Sequence, residues 1–140
     1  MWVIYAIGSA VAASLVPIFG KIGLRDIDPT LATIIRAVLM AVIMVAAGFL
    51  FGKYKGISFE SLGSRPWLFI LLSALAGALS WLLYFIALRT GPAGSVAVID
   101  KFSVVLVLII AAFALGETLT AKSIAGIILL VAGSLLILFK

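Results

Sequence analysis

The sequence predicts an all-α integral membrane protein with five transmembrane helices. Hydrophobic residues make up 66% and charged residues 11% of the 140 residues, whereas a soluble domain has about 45–50% and about 25%. A chain with so few polar groups cannot cover its surface in water. Five apolar stretches each have about the 20 residues that a helix needs to cross a bilayer. Their hydrophobicity is uniform, which excludes the alternating pattern of a membrane β-barrel.

The composition also excludes several classes of function. The chain has no cysteine and no histidine, so we expect neither disulfides, nor a metal held by those ligands, nor histidine-based catalysis. The sequence shows no nucleophile–base pair and no glycine-rich phosphate loop, which argues against an enzyme and predicts no catalytic residue, metal or cofactor. The formal net charge is +5, but so apolar a chain is expected in a lipid bilayer rather than on nucleic acid.

The five helices are expected to form one transmembrane domain over residues 1–140, at about residues 2–23, 29–51, 66–88, 92–115 and 121–139. The first helix contains Pro17, which frees the carbonyl of Ala13 and predicts a kink. The second helix is expected to begin at Pro29, because a proline at the first helical position lacks an N–H group that would need a partner. Asp28, directly before it, is a candidate cap.

The same signals mark the other helix starts. Each has a polar candidate cap, followed by a proline or by the apolar stretch itself: Ser64 with Pro66, Thr90 with Pro92, and Thr120. The fifth helix also carries Gly126 and Gly133, which lie seven residues apart on one face. Two glycines at this spacing permit close helix packing, either within the chain or between two copies.

Polar and small side chains recur along one side of the third helix. Ser73, Gly77, Ser80 and Tyr84 follow spacings of four, three and four residues, and Trp81 lies beside them. Small residues permit close helix packing, whereas tyrosine and tryptophan combine an apolar body with a polar tip. We therefore interpret Ser73 and Gly77 as packing positions, and Ser80, Trp81 and Tyr84 as candidate solute-binding residues.

Three ionisable residues, Arg36, Asp100 and Lys101, lie well within apolar stretches, and Lys21 lies near the end of the first. From the predicted starts of their helices, Arg36 is roughly 11 Å and Asp100 roughly 12 Å deep. Both helices start on the same side of the membrane, so all four residues belong to one half of the bilayer. An unpaired charge at this depth costs at least ~2.5–3.5 kcal/mol, so these side chains are expected to be paired or hydrated.

Two interpretations of these charges remain open. The excess is positive, which suits an anionic or zwitterionic solute bound by Arg36, Asp100 and Lys101. Alternatively, Asp100 pairs with Arg36 or Lys21 and only fixes helix packing, while Lys101 extends to the membrane surface. Because intramembrane charge is by default a sign of function, we favour the solute site.

The cationic residues outside the membrane core do not set an orientation. Four lie on the side of the N-terminus and four on the side of the C-terminus: Lys53, Lys55, Arg65 and Lys122 against Lys21, Arg25, Arg89 and Lys140. The positive-inside rule normally shows an excess on the cytoplasmic side. The equal numbers are explained either by a weak bias or by insertion of copies in both orientations.

Several motifs resemble one known family. They are Ser80-Trp81-Leu82-Leu83-Tyr84-Phe85, Gly91-Pro92-Ala93, Val98-Ile99-Asp100-Lys101-Phe102-Ser103 and Leu115-Gly116-Glu117-Thr118-Leu119-Thr120, with Gly126 and Gly133 behind them. The first half adds Lys21-Ile22-Gly23-Leu24, Asp28-Pro29-Thr30-Leu31 and Arg36. Their order and spacing resemble the EamA domain of the drug/metabolite transporter superfamily over essentially the whole chain.

The resemblance implies a secondary transporter or exporter of small metabolites that works by alternating access. Most members carry two inverted repeats with ten helices, so this single repeat resembles the five-helix branch. It would need a partner, either in an antiparallel homodimer or in a heterodimer with a second five-helix chain. Smaller members of the superfamily use a similar glycine pair for dimer contact, which implies that role for Gly126 and Gly133.

The solute site would hold an anionic or zwitterionic molecule, for example one like an amino acid, in the inner cell membrane. Asp100 and Lys21 are candidates for coupling transport to an ion. The first helix has no acidic residue, in contrast to the multidrug members, which argues against proton-coupled drug export by their route. The alternative function is a non-transporting membrane subunit or scaffold, in which the charges only serve packing.

Overall fold

The computed structural model describes residues 2–54 and 63–139, so Lys55 and Lys140 of the charge count lie outside the described residues. Within these two ranges the chain forms helices and no strand, which confirms the predicted fold class. The helices are α1 (Trp2–Gly23), α2 (Pro29–Leu50), α3 (Ser64–Thr90), α4 (Ala93–Asp100), α5 (Phe102–Ala114) and α6 (Ala121–Leu138).

Five helical segments are long and apolar enough to cross a membrane. They are α1, α2, α3, the segment Ala93–Ala114 formed by α4 and α5, and α6. Large apolar side chains on these segments are widely exposed, for example Phe113 at 88% and Leu136 at 79%. Such exposure is unfavourable in water but not in hydrocarbon, so the chain is a multi-pass membrane protein.

The starts of α2 and α6 carry the caps that the sequence predicts. A carboxylate oxygen of Asp28 accepts hydrogen bonds from the backbone N–H groups of Thr30 (2.9 Å) and Leu31 (3.1 Å). The hydroxyl of Thr120 accepts one from the N–H of Ser123 at 3.2 Å. These side chains satisfy donors that have no partner inside the helix.

Glycines end two of the helices. Gly52, two residues after the end of α2, has a φ of +62°, and Gly116, two residues after the end of α5, has a φ of +70°. This left-handed conformation is common just beyond a helix and is unfavourable for residues with a Cβ atom. The two glycines therefore allow the chain to leave the helical conformation after α2 and after α5.

The two ends of the third helix differ most from the expected ones, by two residues each. The third helix begins at Ser64 rather than near residue 66, and Thr90 is its last residue rather than a cap of the next helix. The N-cap of α4 is Pro92, which makes no side-chain capping hydrogen bond. The stretch between α3 and α4 is thus only two residues long, and Thr90 continues the helix that precedes it.

The fourth apolar segment is divided at Lys101, where a single helix over residues 92–115 was predicted. The N–H of Lys101 donates to the carbonyl of Val98 (3.1 Å), and its own carbonyl accepts from the N–H of Val104 (3.0 Å). Both bonds span three residues instead of four, which is the tighter 3₁₀ pattern. Short stretches of this kind inside a helix often mark functional positions.

The chain falls into two compact units, which we describe separately. The first unit comprises Met1–Phe19 and Thr90–Lys140, and the second comprises Gly20–Arg89. In the first unit, α6 packs against α4. In the second unit, the ends of α1 and α3 contact each other, and Leu88 and Phe85 of α3 are almost completely buried there.

Candidate functional site

Arg36 of α2 stacks on an aromatic ring of α3 in the second unit. Its guanidinium carbon, Cζ, lies 3.6 Å from the centroid of the Trp81 ring and 5.6 Å from that of Phe85. Arg36 is two helical turns beyond Pro29, about 10 Å along the axis from the start of α2. A cation over an aromatic face is attracted by the ring quadrupole, with an energy of up to about 2 kcal/mol in the absence of water.

Three rings of α3 form an aromatic cluster, which we define as Trp81, Tyr84 and Phe85. The centroids of Trp81 and Tyr84 are 5.7 Å apart, with the rings nearly perpendicular at 77°. Those of Trp81 and Phe85 are 6.1 Å apart, and those of Tyr84 and Phe85 are 6.3 Å apart. Spacings of three and four residues place Tyr84 and Phe85 next to Trp81 on the helix surface.

Phe85 was not among the predicted site residues. It is buried, with 5% of its surface exposed, and it contacts both Trp81 and Arg36. The signal in the sequence was its position four residues after Trp81, which places both rings on the same side of α3. Phenylalanine has no polar side-chain atom, so a prediction based on polar groups does not include it.

No described residue of its unit balances the charge of Arg36. Among the described residues of Gly20–Arg89, Arg36 forms neither a hydrogen bond nor an ion pair, and its contacts are the two rings. The carboxylate of Asp28 in the same unit caps α2. A ring quadrupole attracts a cation but leaves its charge and its N–H donors in place. The guanidinium is therefore suited to bind a carboxylate or phosphate through paired N–H···O bonds.

Ser80 lies on α3 beside this cluster. It is exposed, and it precedes Tyr84 by four residues, so the two side chains share one side of the helix. Tyr84 itself is half-buried. The hydroxyl of Ser80 therefore lies about one helical turn from Tyr84, on the same side of α3.

Asp100 and Lys101 form an ion pair in the first unit. The ammonium of Lys101 lies 3.6 Å from a carboxylate oxygen of Asp100, and the side chains are 60% and 39% exposed, respectively. The two residues are consecutive and lie where the helix is divided between α4 and α5. The ion pair seen at Asp100 is thus with its neighbour in the sequence. Both side chains are therefore accessible from outside the described part of the chain.

Lys21, near the end of α1, contacts the backbone of α3. Its ammonium donates hydrogen bonds to the carbonyls of Leu88 (2.6 Å) and Arg89 (3.1 Å). Arg89 in turn donates from Nη1 to the carbonyl of Ile27 at 3.2 Å. Both cations therefore bind main-chain oxygens where the ends of α1 and α3 meet.

The two glycines proposed for dimer contact have open surroundings. A Cβ atom built on Gly126 or Gly133 meets no atom of the described chain within 4 Å. Ser134, next to Gly133, is buried. This part of α6 therefore has room for a closely packed partner, and the dimer role of the glycine pair stays a prediction.

The structure thus places the predicted residues in two groups. Arg36, Trp81 and Tyr84 meet in the second unit, with Ser80 on the same helix as the two aromatic residues. Asp100 and Lys101 pair with each other in the first unit. In residues 2–54 and 63–139, no group of three histidine, cysteine, aspartate or glutamate residues is arranged to hold a metal ion.

Comparison with known proteins gives two matches over nearly the full length. The sequence model of the EamA-like transporter family matches residues 1–139. A curated protein of a Sinorhizobium species is 38% identical over 136 residues, which cover 97% of this chain and 95% of that protein. It is called "Uncharacterized transporter in cobO 3'region". No solved structure matches the chain.

Proposed function

The chain belongs to the EamA-like transporter family, and from this we propose that it is a secondary transporter of small anionic or zwitterionic metabolites. A solute like an amino acid would fit, since it carries a carboxylate for a guanidinium and an apolar or ammonium part for aromatic rings. The family and the name of the relative support transport in general. The solute class is our inference from the charges and rings of the site.

The observation that carries the proposal is the position of Arg36. A cation two turns inside an apolar helix has a high cost unless water or an anion reaches it, and no carboxylate among the described residues of its unit pairs with Arg36. The contact with Trp81 holds the guanidinium in place without neutralising it. An anionic solute would supply the negative charge that Arg36 lacks. The favourable interaction between the two charges would exist only while the solute is bound.

The remaining proposed binding residues have distinct roles. Trp81 and Tyr84 form the apolar wall, and Ser80 offers a hydroxyl at its edge. Asp100 and Lys101 form a second charged point at the divided helix, a feature that transporters use for ion and solute binding. If a solute carboxylate replaces Asp100 as the partner of Lys101, Asp100 can take up a proton, so that anion and proton move together.

We further propose that two chains assemble into a ten-helix transporter in the inner cell membrane. Alternating access in such proteins relies on two repeats that move against each other, and this chain supplies one repeat. The widely exposed apolar side chains and the open face at Gly126 and Gly133 leave room for a partner. The balanced loop charges favour an antiparallel homodimer over a heterodimer with a second five-helix chain.

Transport in proteoliposomes tests the proposal. The purified protein is reconstituted, and uptake is measured for radiolabelled amino acids, mono- and dicarboxylates, sugar phosphates, and neutral and cationic solutes of similar size. We expect uptake of at least one anionic or zwitterionic solute, its loss in Arg36→Gln, and its retention in Lys122→Gln/Arg25→Gln, which removes one exposed cation from each side and keeps the charges balanced. Uptake of cationic solutes alone, or uptake that survives Arg36→Gln, would contradict the proposed site.

A further inference from the structure

The end of α3 is an unusual helix terminus because a side chain from another helix satisfies it. The last carbonyls of an α-helix have no partner inside the helix, and they carry partial negative charge. Leu88, near this end, has no exposed surface, so water has little access to its backbone. The ammonium of Lys21 binds the carbonyls of Leu88 and Arg89 at 2.6 Å and 3.1 Å. Lys21 thus supplies hydrogen-bond donors to the terminal carbonyls of α3 and a positive charge opposite their partial negative charge.

The residue before Lys21 allows the close contact. A Cβ atom built on Gly20 would lie 3.5 Å from the ring of Phe85 and 3.9 Å from the side chain of Leu88. Gly20 thus lies within van der Waals distance of α3, and this packing brings the ammonium of the next residue within reach of the carbonyls. Leu24, one turn later, is only 3% exposed.

A third hydrogen bond runs in the opposite direction. Arg89, at the end of α3, donates to the carbonyl of Ile27 in the connection between α1 and α2. Lys21 therefore binds the end of α3, and α3 binds the segment that follows α1. We call these three hydrogen bonds, made by Lys21 and Arg89, the backbone clasp.

Phe85 connects the backbone clasp to the candidate solute site. On one side it faces Gly20 of α1. On the other it contacts the rings of Trp81 and Tyr84 and lies 5.6 Å below the guanidinium of Arg36. A shift or rotation of the end of α3 would therefore move the ring on which Arg36 lies.

We propose that Lys21 is a positioning residue that caps α3 and thereby holds the aromatic cluster under Arg36. This role differs from the ion-coupling role that the sequence suggests for Lys21, and it rests on the proposed solute site. Its direct effect is on the end of α3, and its indirect effect is on Trp81. Both effects can be measured without a solute.

The test compares Lys21→Met, which keeps the length of the side chain but removes its charge and donors, with Lys21→Arg, which keeps both. Lys122→Met is the matched control, because that exposed lysine forms no hydrogen bond or ion pair with the described part of the chain. Hydrogen exchange, measured by mass spectrometry in lipid nanodiscs, reports on the peptide around residues 85–92. Acrylamide quenching reports on Trp81 in a Trp2→Phe/Trp67→Phe background.

We expect Lys21→Met to exchange faster at the end of α3 and to show altered quenching of Trp81, while Lys21→Arg and Lys122→Met behave like the parent. Unchanged exchange in Lys21→Met would overturn the cap. Faster exchange with unchanged quenching would overturn the positioning role, because the cluster would then be independent of the cap. Arginine does not release its proton in proteins, so rescue by Lys21→Arg also argues against deprotonation of Lys21 as its function.

Transport measurements separate this inference from the proposed function. If the protein transports a solute, Lys21→Met should raise the KM more than it lowers the maximal rate, and Lys21→Arg should restore the KM. A change in Trp81 quenching without transport of any tested solute would leave the positioning role standing and would count against the proposed function alone.

Discussion

The guanidinium carbon of Arg36 lies 3.6 Å from the centre of the Trp81 ring, so a charge on α2 is in direct contact with a ring on α3. This contact joins two helices inside an apolar environment without using a carboxylate. It holds Arg36 in one place while its charge remains available. The contact therefore has both a structural and a functional consequence, and each can be measured.

The structural consequence is an energetic coupling between Arg36 and Trp81. In a double-mutant cycle of Arg36→Met and Trp81→Leu, we expect a coupling of about 1 kcal/mol in the free energy of unfolding in detergent. A cycle of Arg36→Met with Trp67→Leu is the control, because Trp67 lies about 21 Å earlier along α3 and should be additive. Equal coupling in both cycles would show that the stacking contributes nothing specific.

The pair of Asp100 and Lys101 predicts loss of transport with little loss of stability. The pair is formed by consecutive residues and therefore does not hold distant helices together, so Asp100→Asn and Lys101→Ala should each leave the helix packing intact. Both should abolish uptake in proteoliposomes at normal expression. The double variant Asp100→Asn/Lys101→Met separates function from packing: restored uptake would mean that the pair only balances its own charge.

The five apolar segments were predictable because bilayer thickness alone fixes the length and composition of a spanning helix. The caps Asp28 and Thr120 were predictable because their hydrogen bonds are to residues two or three positions away. The division of the fourth segment was not, since Lys101 is neither proline nor glycine. No local signal separates a continuous helix from one with a single tighter turn there.

The sequence predicted which residues belong to the candidate site better than it predicted the contacts between them. Arg36, Trp81 and Tyr84 were recognised by residue type, but their meeting depends on how α2 packs against α3. For Lys21, the sequence suggested a carboxylate partner, whereas the structure shows hydrogen bonds to main-chain carbonyls of α3. Every residue has a carbonyl, so the sequence does not mark which ones lack a partner. Only the position of a helix end relative to another helix supplies that information.

Gly52, just beyond the end of α2, gives a third prediction. Gly52→Ala should lower the free energy of unfolding by about 1 kcal/mol, because alanine is unfavourable at a φ of +62°. Gly8→Ala is the control, since Gly8 lies inside α1 and an added Cβ meets nothing within 4 Å. Thermal unfolding in detergent measures both variants. Equal melting temperatures for the two would contradict the role of Gly52.

The open face of α6 predicts that the glycine pair acts between chains. Gly126→Ile and Gly133→Ile should reduce the dimer fraction, measured by chemical cross-linking in membranes, because bulk at these positions prevents close helix approach. Gly77→Ile on α3 is the control, as an added Cβ there also meets nothing within 4 Å. Dimer loss in all three variants would point to general destabilisation, and dimer retention in both α6 variants would exclude the glycine contact.

The balanced charges outside the membrane core predict that copies insert in both orientations. A C-terminal green fluorescent protein fluoresces only in the bacterial cytoplasm, and a C-terminal alkaline phosphatase is active only in the periplasm. Because four cations lie on each side, we expect both fusions to be active. Activity of one fusion alone would exclude an antiparallel homodimer and would leave a heterodimer as the route to ten helices.

Single charge changes make this prediction sharper. Lys122→Gln removes a cation from the N-terminal side, so the C-terminal side should move to the cytoplasm and fluorescence should rise at the expense of phosphatase activity. Arg25→Gln removes one from the C-terminal side and should shift the two signals in the opposite direction. A chain held in one orientation by its fold would respond to neither change. A chain balanced between two orientations would respond to both, because one charge is then enough to decide the direction of insertion.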